Sequence, residues 1–445
     1  MKLKLLALLL LLLPILSAAE NESDWPQWMG PQRDGVWRES GILQKFPEAG
    51  PKIRWRTPIG SGYAGPAVAA GKVVLLDRTL ATGAKNPANP FERGSIAGQE
   101  RVICLNESDG KEIWKHEYDA PYTVSYPSGP RATPLISGGK VYTLGTEGHL
   151  FCLDLANGKV LWSKDFKKEY GIQSPMWGFA AHPLLDGNKL ICMVGGVGQT
   201  VIAFDKDSGK EIWKALSATQ TGYCPPVIYE AGGKRQLIIW HPDSINALDP
   251  ETGAVYWTHP FAVKAGLSVP MPRKMGDMLF VTSFYNGPVA LKLDSEKPAV
   301  TLLWKGTSNS EHNTDKLHSI MPTPFLEDGH IYGVCSYGQL RCLEAATGKR
   351  LWETFAATGG KQDRWANAFL IKNGDRFFLP NEKGDLIIAK LSPKGYEEIS
   401  RCHLIEPTSD AMKRPVVWSH PAFANKSIYL RNDTEIVCAS LAEGQ

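Results

Sequence analysis

The sequence has 445 residues, with 43 glycines, 31 prolines and a formal net charge of +3. A chain this close to neutral lacks the basic surface that attracts a polyanion, so nucleic-acid binding is not expected. The length exceeds the ~100 to 200 residues of an average domain, but closed β architectures are often larger, and no linker-like stretch divides the chain.

The first predicted element is a secretory signal peptide over residues 1–19. Lys2 and Lys4 precede the apolar run 5–13, and the small residues 17–19 form a cleavage site. Removing the two lysines lowers the formal charge from +3 to +1. The alternative is an uncleaved anchor, but the run is shorter than the ~20 residues of a spanning helix. The mature chain is therefore expected to be periplasmic or secreted, without a transmembrane span.

A repeat with a period of 44 to 51 residues fills most of the remaining chain. Each copy ends in a turn and an apolar strand, as in VIAFDKDSGKEIW, and its last residue is usually tryptophan. The end residues are Trp114, Trp162, Trp213, Trp257, Trp304, Trp352 and Ile399. A period of about 40 to 50 residues made of short strands and turns is typical of the blades of a β-propeller.

Apolar stretches interrupted by glycine turns predict three hairpin-linked strands ahead of each end motif. The blades open near Pro66, Pro134, Pro183, Pro225, Pro270, Pro324, Ala368 and Pro421. The last blade lacks an outer strand, and KIRWRTP near the N-terminus supplies a candidate whose Trp55 matches the blade tryptophans. The prediction is an all-β fold: an eight-bladed β-propeller of four-stranded antiparallel blades, closed by the N-terminal strand. One domain would span residues 51–445, after an N-terminal extension over 20–50.

Residues that recur in the repeat are interpreted as structural. The tryptophans would dock one blade on the next, and the turn aspartates would hydrogen-bond within their turns. Four of the eight cysteines share one strand position, namely Cys104, Cys152, Cys342 and Cys438. This favours packing, although disulfides are the alternative in an exported chain, and spacing alone selects no pairing. The first cysteine is far from the cleavage site, so a lipid anchor is not expected.

Candidate site residues lie in the loops just before the blade openings, because in a propeller these loops rim one mouth of the central channel. They are Tyr63, Arg131, Trp177, His182, Tyr223, His318, Trp365, Asn367, Trp418 and His420. Aromatic side chains with arginine and histidine suit a planar ligand, a sugar or a peptide segment. The alternative is that they only fill and hydrogen-bond the channel mouth.

Three long departures from the repeat are further candidates, since long irregular loops are often functional. They cover residues 79–100, 306–321 and 404–419. The second contains His312, Asp315 and His318, which could bind a metal ion. No third histidine or cysteine with suitable spacing supports that site, so no metal is predicted.

The copies VIAFDKDSGKEIW and INALDPETGAVYW resemble the pyrroloquinoline quinone (PQQ) repeat family, whose eight-bladed propellers carry A-x-D-x-x-T-G-K-x-x-W repeats. The resemblance covers almost all of the mature chain. DWPQWMGPQRDGV and WGFAAHPLLDGNKLICMVGG also look like exported bacterial propellers that mostly lack an assigned reaction. The family includes quinoprotein dehydrogenases, with PQQ and calcium over the channel and an aspartate base. It also includes the propeller subunit of the outer-membrane β-barrel assembly machinery, a scaffold without a cofactor.

The chain departs from both branches. It has neither the adjacent cysteine pair nor the C-x-x-C-H haem motif of many dehydrogenases, and no acidic cluster that would bind calcium. It also lacks the lipid-anchor cysteine of the assembly subunit. The resemblance implies an exported, non-catalytic binding or scaffold propeller in envelope protein assembly, with envelope proteins or peptide segments as partners. A PQQ-dependent oxidoreductase, with PQQ and calcium as cofactors, is the alternative.

Overall fold

A computed structural model describes residues 23–444, and the predicted signal peptide lies outside this range. The described chain forms eight four-stranded antiparallel sheets and one two-stranded hairpin. The sheets are the blades of an eight-bladed propeller, which confirms the predicted fold class. Each innermost strand begins within about three residues of the opening expected from the sequence.

The first four blades follow one another along the chain, each from its innermost to its outermost strand. Blade 1 contains Ala67–Ala69, Lys72–Leu80, Gly98–Asn106 and Glu112–Asp119. Blade 2 contains Leu135–Ser137, Lys140–Leu144, His149–Asp154 and Val160–Asp165. Blade 3 contains Leu184–Asp186, Lys189–Met193, Val201–Asp205 and Glu211–Ala215. Blade 4 contains Val227–Ala231, Lys234–His241, Ser244–Leu248 and Val255–Pro260.

The remaining blades include the one that joins the two ends of the ring. Blade 5 contains Arg273–Met275, Met278–Ser283, Gly287–Leu293 and Val300–Lys305. Blade 6 contains Phe325–Glu327, His330–Val334, Leu340–Glu344 and Arg350–Thr354. Blade 7 contains Ile371–Asn373, Arg376–Pro380, Asp385–Ser392 and Gly395–His403. Blade 8 contains Ala422–Ala424, Ser427–Arg431, Glu435–Ser440 and, outermost, Ile53–Pro58.

The N-terminal strand therefore closes the ring, as predicted. Ile53–Pro58 pairs antiparallel with Glu435–Ser440, and Trp55 stands opposite Cys438. This pairing covers a strand edge that blade 8 would otherwise expose. Outside the blades lie a helix at Phe166–Tyr170, a 3-10 turn at Lys264–Gly266 and the hairpin Ser409–Ala411 with Arg414–Val416.

The repeated tryptophans join each blade to the next through one recurring contact. Six of them donate their indole N–H to a backbone carbonyl in the turn of the following blade, over 2.8 to 3.2 Å. The donors are Trp55, Trp114, Trp162, Trp213, Trp304 and Trp352. In five of these pairs the indole also lies over the turn glycine of the following blade. The repeat thus encodes the spacing between blades as well as the blades themselves.

Replacing one of these glycines should be more damaging than an ordinary glycine substitution. Gly209 has φ +69°, and a Cβ added there would lie 2.7 Å from the ring of Trp162. Gly187 in the same blade has φ +59° and no atom within 4 Å of such a Cβ. We expect Gly187→Ala to cost about 1 kcal/mol of unfolding free energy for the backbone alone, and Gly209→Ala about 2 to 4 kcal/mol because of the added overlap. Urea unfolding measures the loss of unfolding free energy in both variants. Equal losses would contradict the close contact between Gly209 and Trp162.

The cysteines are packing residues in this structure. All eight are free thiols, seven of them buried and Cys402 half-buried. Burial raises the pKa of Cys152 and Cys342 to about 11, so these thiols stay protonated and unreactive. Between residues 23 and 444 there is also no helix with the length and apolar character needed to cross a membrane.

Candidate functional site

One cavity of about 270 Å³ lies where the connections into the innermost strands of all eight blades converge. Its wall is mostly aromatic. Ten of its lining residues are tryptophan, tyrosine or phenylalanine: Trp28, Tyr63, Phe91, Tyr126, Trp177, Tyr223, Phe284, Tyr285, Trp365 and Trp418. An apolar, aromatic wall with a few polar groups is the usual composition of a ligand pocket, although this volume is at the small end of the range.

Eight of the ten residues predicted from the sequence line this cavity. They are Tyr63, Arg131, Trp177, His182, Tyr223, Trp365, Trp418 and His420. Each of the three irregular segments singled out in the sequence also contributes: Phe91 comes from the first, Ile320 and Met321 from the second, and Trp418 from the third. The structure brings these residues together, and their role in binding stays a proposal.

Two predicted residues, His318 and Asn367, are fully buried and do not line the cavity. The His318 ring lies 3.2 Å from the Asp315 carboxylate and from the Phe284 carbonyl oxygen, so it braces the loop behind the wall. Asn367 follows Trp365 by two residues in the sequence, and its backbone carbonyl oxygen accepts a hydrogen bond from the backbone N–H of Glu382 over 3.2 Å. Of the ten predicted residues, these two are the ones that the structure does not place in the cavity wall.

The N-terminal segment closes one end of the channel, which the sequence did not predict. Trp25 pairs with Val68 of blade 1 through both backbone hydrogen bonds, each 2.8 Å. Further along, Val36 forms a bridge to Lys372 of blade 7. Between these points Arg273 of blade 5, which lies opposite blade 1 in the ring, donates to the Asp34 carbonyl oxygen over 3.0 Å. The segment therefore crosses the channel, and it carries Trp28 into the base of the cavity.

The two non-repeat motifs of the sequence meet at this base. Trp28 of DWPQWMGPQRDGV stacks on His182 of WGFAAHPLL, with ring centroids 4.6 Å apart and planes 11° apart. His420 packs edge-on to Trp28 at 5.6 Å. Arg33 is 5% exposed and donates to the carbonyl oxygen of Pro183 over 2.8 Å. Each motif thus supplies half of a floor under the cavity.

Both histidines of the floor are neutral. The His182 Nδ1 accepts from the backbone N–H of Thr133 over 2.9 Å. Burial lowers the pKa of His182 well below its ordinary value, and the nearby His420 and Arg33 lower it further. Burial also lowers the pKa of His420 to about 3. The two neutral histidines that contact Trp28 therefore add polar atoms to the floor of the cavity without adding charge.

Backbone strain is concentrated in the wall. Tyr126 and Trp365 have φ of 54° and 63°, in the left-handed region that bulky residues seldom adopt. Their rings meet edge-on at 6.0 Å. The Tyr126 hydroxyl and the Trp365 indole N–H are buried and have no hydrogen-bond partner. Both atoms have almost no accessible surface, so they are enclosed within the wall and do not face the cavity.

The charged side chains of the cavity lining are arginines. Its lining includes Arg131 and Arg364 but no aspartate or glutamate. Arg364 stacks on Trp365 at 4.6 Å and pairs with Glu311 over 2.7 Å. Arg131 donates to backbone carbonyl oxygens, including Ser125 over 3.0 Å. Within residues 23–444 no carboxylate forms a direct ion pair with Arg131, but Thr146, 3.4 Å from its guanidinium, also donates its backbone N–H to the buried Glu100 carboxylate over 2.9 Å.

A buried carboxylate supports the wall from behind. Glu382 pairs with Arg414 and accepts from the Trp418 indole N–H over 3.3 Å. Burial raises its pKa to about 7, although Arg414 and Trp418 oppose this shift. The hairpin that carries Arg414 is thereby fixed against the Trp418 side of the cavity. Nothing in the sequence pattern marks Glu382, because its position in a turn of blade 7 is polar in most blades.

These residues do not fit PQQ with calcium. Calcium takes six to eight oxygen ligands, usually including carboxylates, and the cavity lining offers none. Over the part of the chain that the structure describes, no group of three or more His, Cys, Asp or Glu residues could hold a metal ion. His312 lies against Tyr337 at 4.6 Å between ring centroids, whereas His318 pairs with Asp315.

Solved structures with the same fold come from different functional classes. BamB from Moraxella catarrhalis matches with a TM-score of 0.55 and 17% identity, over 88% of this chain and 99% of that one. Quinohemoprotein alcohol dehydrogenase from Comamonas testosteroni matches with a TM-score of 0.59 and 13% identity, over 95% and 81%. The computationally designed protein Ika8 matches with a TM-score of 0.54 and 10% identity, over 87% and 99%. At these identities the likeness concerns the fold alone.

The comparison of sequences identifies a family, whereas the comparison of structures identifies only a fold. No curated protein matches the chain. The sequence model described as outer membrane protein assembly factor BamB matches residues 98–237 and 241–445, which is most of the chain. The chain therefore belongs to the PQQ-repeat propeller family described as outer membrane protein assembly factor BamB.

Proposed function

We propose that this protein is an exported, non-catalytic propeller that binds segments of other envelope polypeptides and acts as a scaffold in their assembly. The observation that carries the proposal is the aromatic cavity at the convergence of all eight blades, closed at its base by Trp28. Membership of the BamB family supports the class of partner. A peptide side chain entering such a cavity would bury apolar surface against preformed walls, at little cost in reorganisation.

The alternative reading as a PQQ-dependent oxidoreductase is less well supported by the same residues. Proton abstraction needs a base at the reacting atom, and the titratable groups that line the cavity are two neutral histidines, tyrosines and arginines. The tyrosines are poor bases, since burial raises the pKa of Tyr223 to about 12. The lining stabilises a bound apolar group better than it catalyses a transfer.

Binding of an unfolded envelope polypeptide tests the proposal. A fluorescently labelled outer-membrane β-barrel polypeptide, diluted from urea into the purified protein, should bind with a dissociation constant of micromolar order, as expected for a small interface. Trp177→Ala removes an indole of the wall that packs edge-on to Tyr223 at 5.6 Å. We expect it to weaken binding at least about tenfold, because buried tryptophans dominate such contacts. Fluorescence anisotropy measures both constants.

Val197→Ala is the matched control, since Val197 is 88% exposed and lies outside the cavity. It should leave the dissociation constant unchanged. Equal weakening by both substitutions, or no binding at all, would contradict the proposal. So would tight PQQ binding with calcium and turnover of alcohols or sugars in a dye-reduction assay.

A further inference from the structure

We infer that the insertion of blade 1 forms a lid over the cavity: segment 84–93 closes part of the mouth with Phe91 and opens about Gly83 and Gly94. This inference rests on the proposed function, because the lid controls access to the cavity in which a partner segment would bind. Three observations carry it: the long hairpin beneath the segment, the contacts of Phe91 and the open space around both glycines.

The hairpin of blade 1 raises the segment above the mouth. Its strands, Lys72–Leu80 and Gly98–Asn106, have nine residues each and pair along their whole length. In blade 2 the equivalent strands have five and six residues. The third strand begins six residues before Cys104 in blade 1, but only three residues before the equivalent Cys152 in blade 2. Three extra residues lengthen the hairpin by about 10 Å, at the end where the connections into the innermost strands lie.

Phe91 is the part of the segment that reaches the cavity. Its ring meets the ring of Tyr126 edge-on at 5.2 Å and lies 6.0 Å from the ring of Trp365. Tyr126 belongs to the connection between blades 1 and 2, and Trp365 belongs to the connection between blades 6 and 7. The insertion therefore reaches across the mouth beside blade 8. Phe91 lines the cavity and is 40% exposed, so its ring covers the cavity from the outside.

Few contacts hold the segment down. Among the described residues, four hydrogen bonds join segment 84–93 to the chain outside the insertion. They are Tyr126 N–H to the Pro90 carbonyl oxygen at 2.6 Å, the Ser125 hydroxyl to the Phe91 carbonyl oxygen at 3.2 Å, Arg93 Nε to the Thr123 carbonyl oxygen at 2.9 Å, and Arg78 to the Asn86 side-chain oxygen at 3.2 Å. Opening exchanges these bonds for bonds with water, so it costs far less free energy than unfolding a blade.

The chain is fixed on both sides of the segment and free just inside these points. Before the segment, the second strand of blade 1 ends at Leu80. After it, Ile96 pairs with Tyr122 through two backbone hydrogen bonds of 2.9 and 3.0 Å. A Cβ added to Gly83 or Gly94 would have no atom within 4 Å. Rotation of the backbone at these two glycines therefore meets no neighbouring atom, as a hinge requires.

A lid of this kind sets the rates of binding more than the affinity. A ligand enters only while the lid is open, and it leaves only when the lid opens again. Weakening the lid therefore raises the association and dissociation rate constants together. Loss of an ordinary wall contact would raise the dissociation rate constant alone.

Hydrogen exchange of the unaltered protein, read at single residues, tests the lid without any ligand. The Tyr126 amide is bonded to Pro90 and is released when the lid opens. It should therefore exchange about 100-fold or more faster than the amides of the third strand of blade 1. Equal protection of Tyr126 and these strand amides would overturn the lid.

Two serine variants test the gate with the labelled β-barrel polypeptide. Phe91→Ser removes the ring that closes the mouth and should raise the association rate constant about tenfold or more in stopped-flow anisotropy. Leu80→Ser is the matched control, since Leu80 is 41% exposed in the same blade and does not line the cavity. It should leave both rate constants unchanged.

The two measurements separate the lid from the proposed function. An unchanged or lower association rate constant for Phe91→Ser would overturn the lid and leave the scaffold proposal in place. Failure of the polypeptide to bind would overturn the scaffold proposal instead, and hydrogen exchange at Tyr126 would still decide whether the segment opens.

Discussion

Acidification from pH 7.5 to 4.5 is expected to remove several kcal/mol of unfolding free energy through the floor histidines alone. His182 and His420 are neutral in the folded protein because burial lowers the pKa of both, that of His420 to about 3. In the unfolded chain their pKa returns to about 6.5. Their contribution to stability is therefore fully present above pH 6.5 and is lost as the pH falls towards the folded pKa, at about 1.4 kcal/mol per unit for each histidine.

His420→Phe isolates one of these groups. A phenyl ring can occupy the same place, because His420 already packs against Phe369 with ring centroids 4.0 Å apart. Between pH 6.5 and 4.5 the slope of unfolding free energy against pH should fall by about 1.4 kcal/mol per unit relative to the unaltered protein. Urea unfolding followed by tryptophan fluorescence gives the slope. Comparing slopes rather than absolute values removes any constant effect of the substitution on packing.

Val197→Ala is the control for this measurement, since Val197 is 88% exposed and has no titratable side chain. Its slope should match that of the unaltered protein. Glu382 works in the opposite direction, because burial raises its pKa to about 7 and its contribution is lost as the pH rises through that value. A slope for His420→Phe equal to that of the unaltered protein would show that the floor opens before the histidine is protonated.

The blades could be predicted because each is specified by local sequence repeated eight times. Glycine turns, alternating apolar residues and a terminal tryptophan recur at the same register, so an error in one copy is corrected by the others. The closure of the ring by the N-terminal strand could be predicted in the same way. Trp55 matches the tryptophan of the other blades, and the last blade lacks an outer strand of its own. Even the contact between Trp162 and Gly209 is implicit in the repeat, as both residues are part of it.

The cavity was only partly predictable because its decisive features break the repeat. Most of the residues that line the cavity lie in the loops before the blade openings, which the sequence identifies as candidate site loops. Trp28 could not be placed, since nothing local tells that an N-terminal segment returns across the channel to meet His182. Tyr126 was not among the predicted residues, and the backbone conformation of Tyr126 and Trp365 could not be predicted, because left-handed φ at an aromatic residue is imposed by its surroundings and not by its own preference. Phe91 was foreseen only as part of an irregular insertion.

Buried polar clusters were the least visible in the sequence, and Glu100 shows why. The sequence places it at the end of the irregular segment 79–100, but it lies on the third strand of blade 1 and its side chain is fully buried. Its carboxylate accepts from the hydroxyls of Tyr118 and Tyr122 and, over 2.9 Å, from the backbone N–H of Thr146 in blade 2. Burial and this carboxylate raise the pKa of both tyrosines well above its ordinary value, so the hydroxyls remain donors.

Glu100→Ala should therefore destabilise the protein by roughly 3 to 5 kcal/mol, because it leaves three buried donors without an acceptor at about 1 to 3 kcal/mol each. The cluster also supports the cavity wall, since Thr146 lies 3.4 Å from the Arg131 guanidinium. Glu100→Gln keeps the shape and one carbonyl acceptor and should cost about 1 to 2 kcal/mol.

Glu117→Ala is the control on the same blade, where the side chain is exposed, and it should change stability by less than about 0.5 kcal/mol. Urea unfolding at pH 7.5 measures all three variants. Similar losses for Glu100→Ala and Glu117→Ala would show that water enters between blades 1 and 2 and satisfies the tyrosines. In that case the wall of the cavity beside Arg131 would be held only by the hydrogen bonds of Arg131 to backbone carbonyl oxygens, such as that of Ser125.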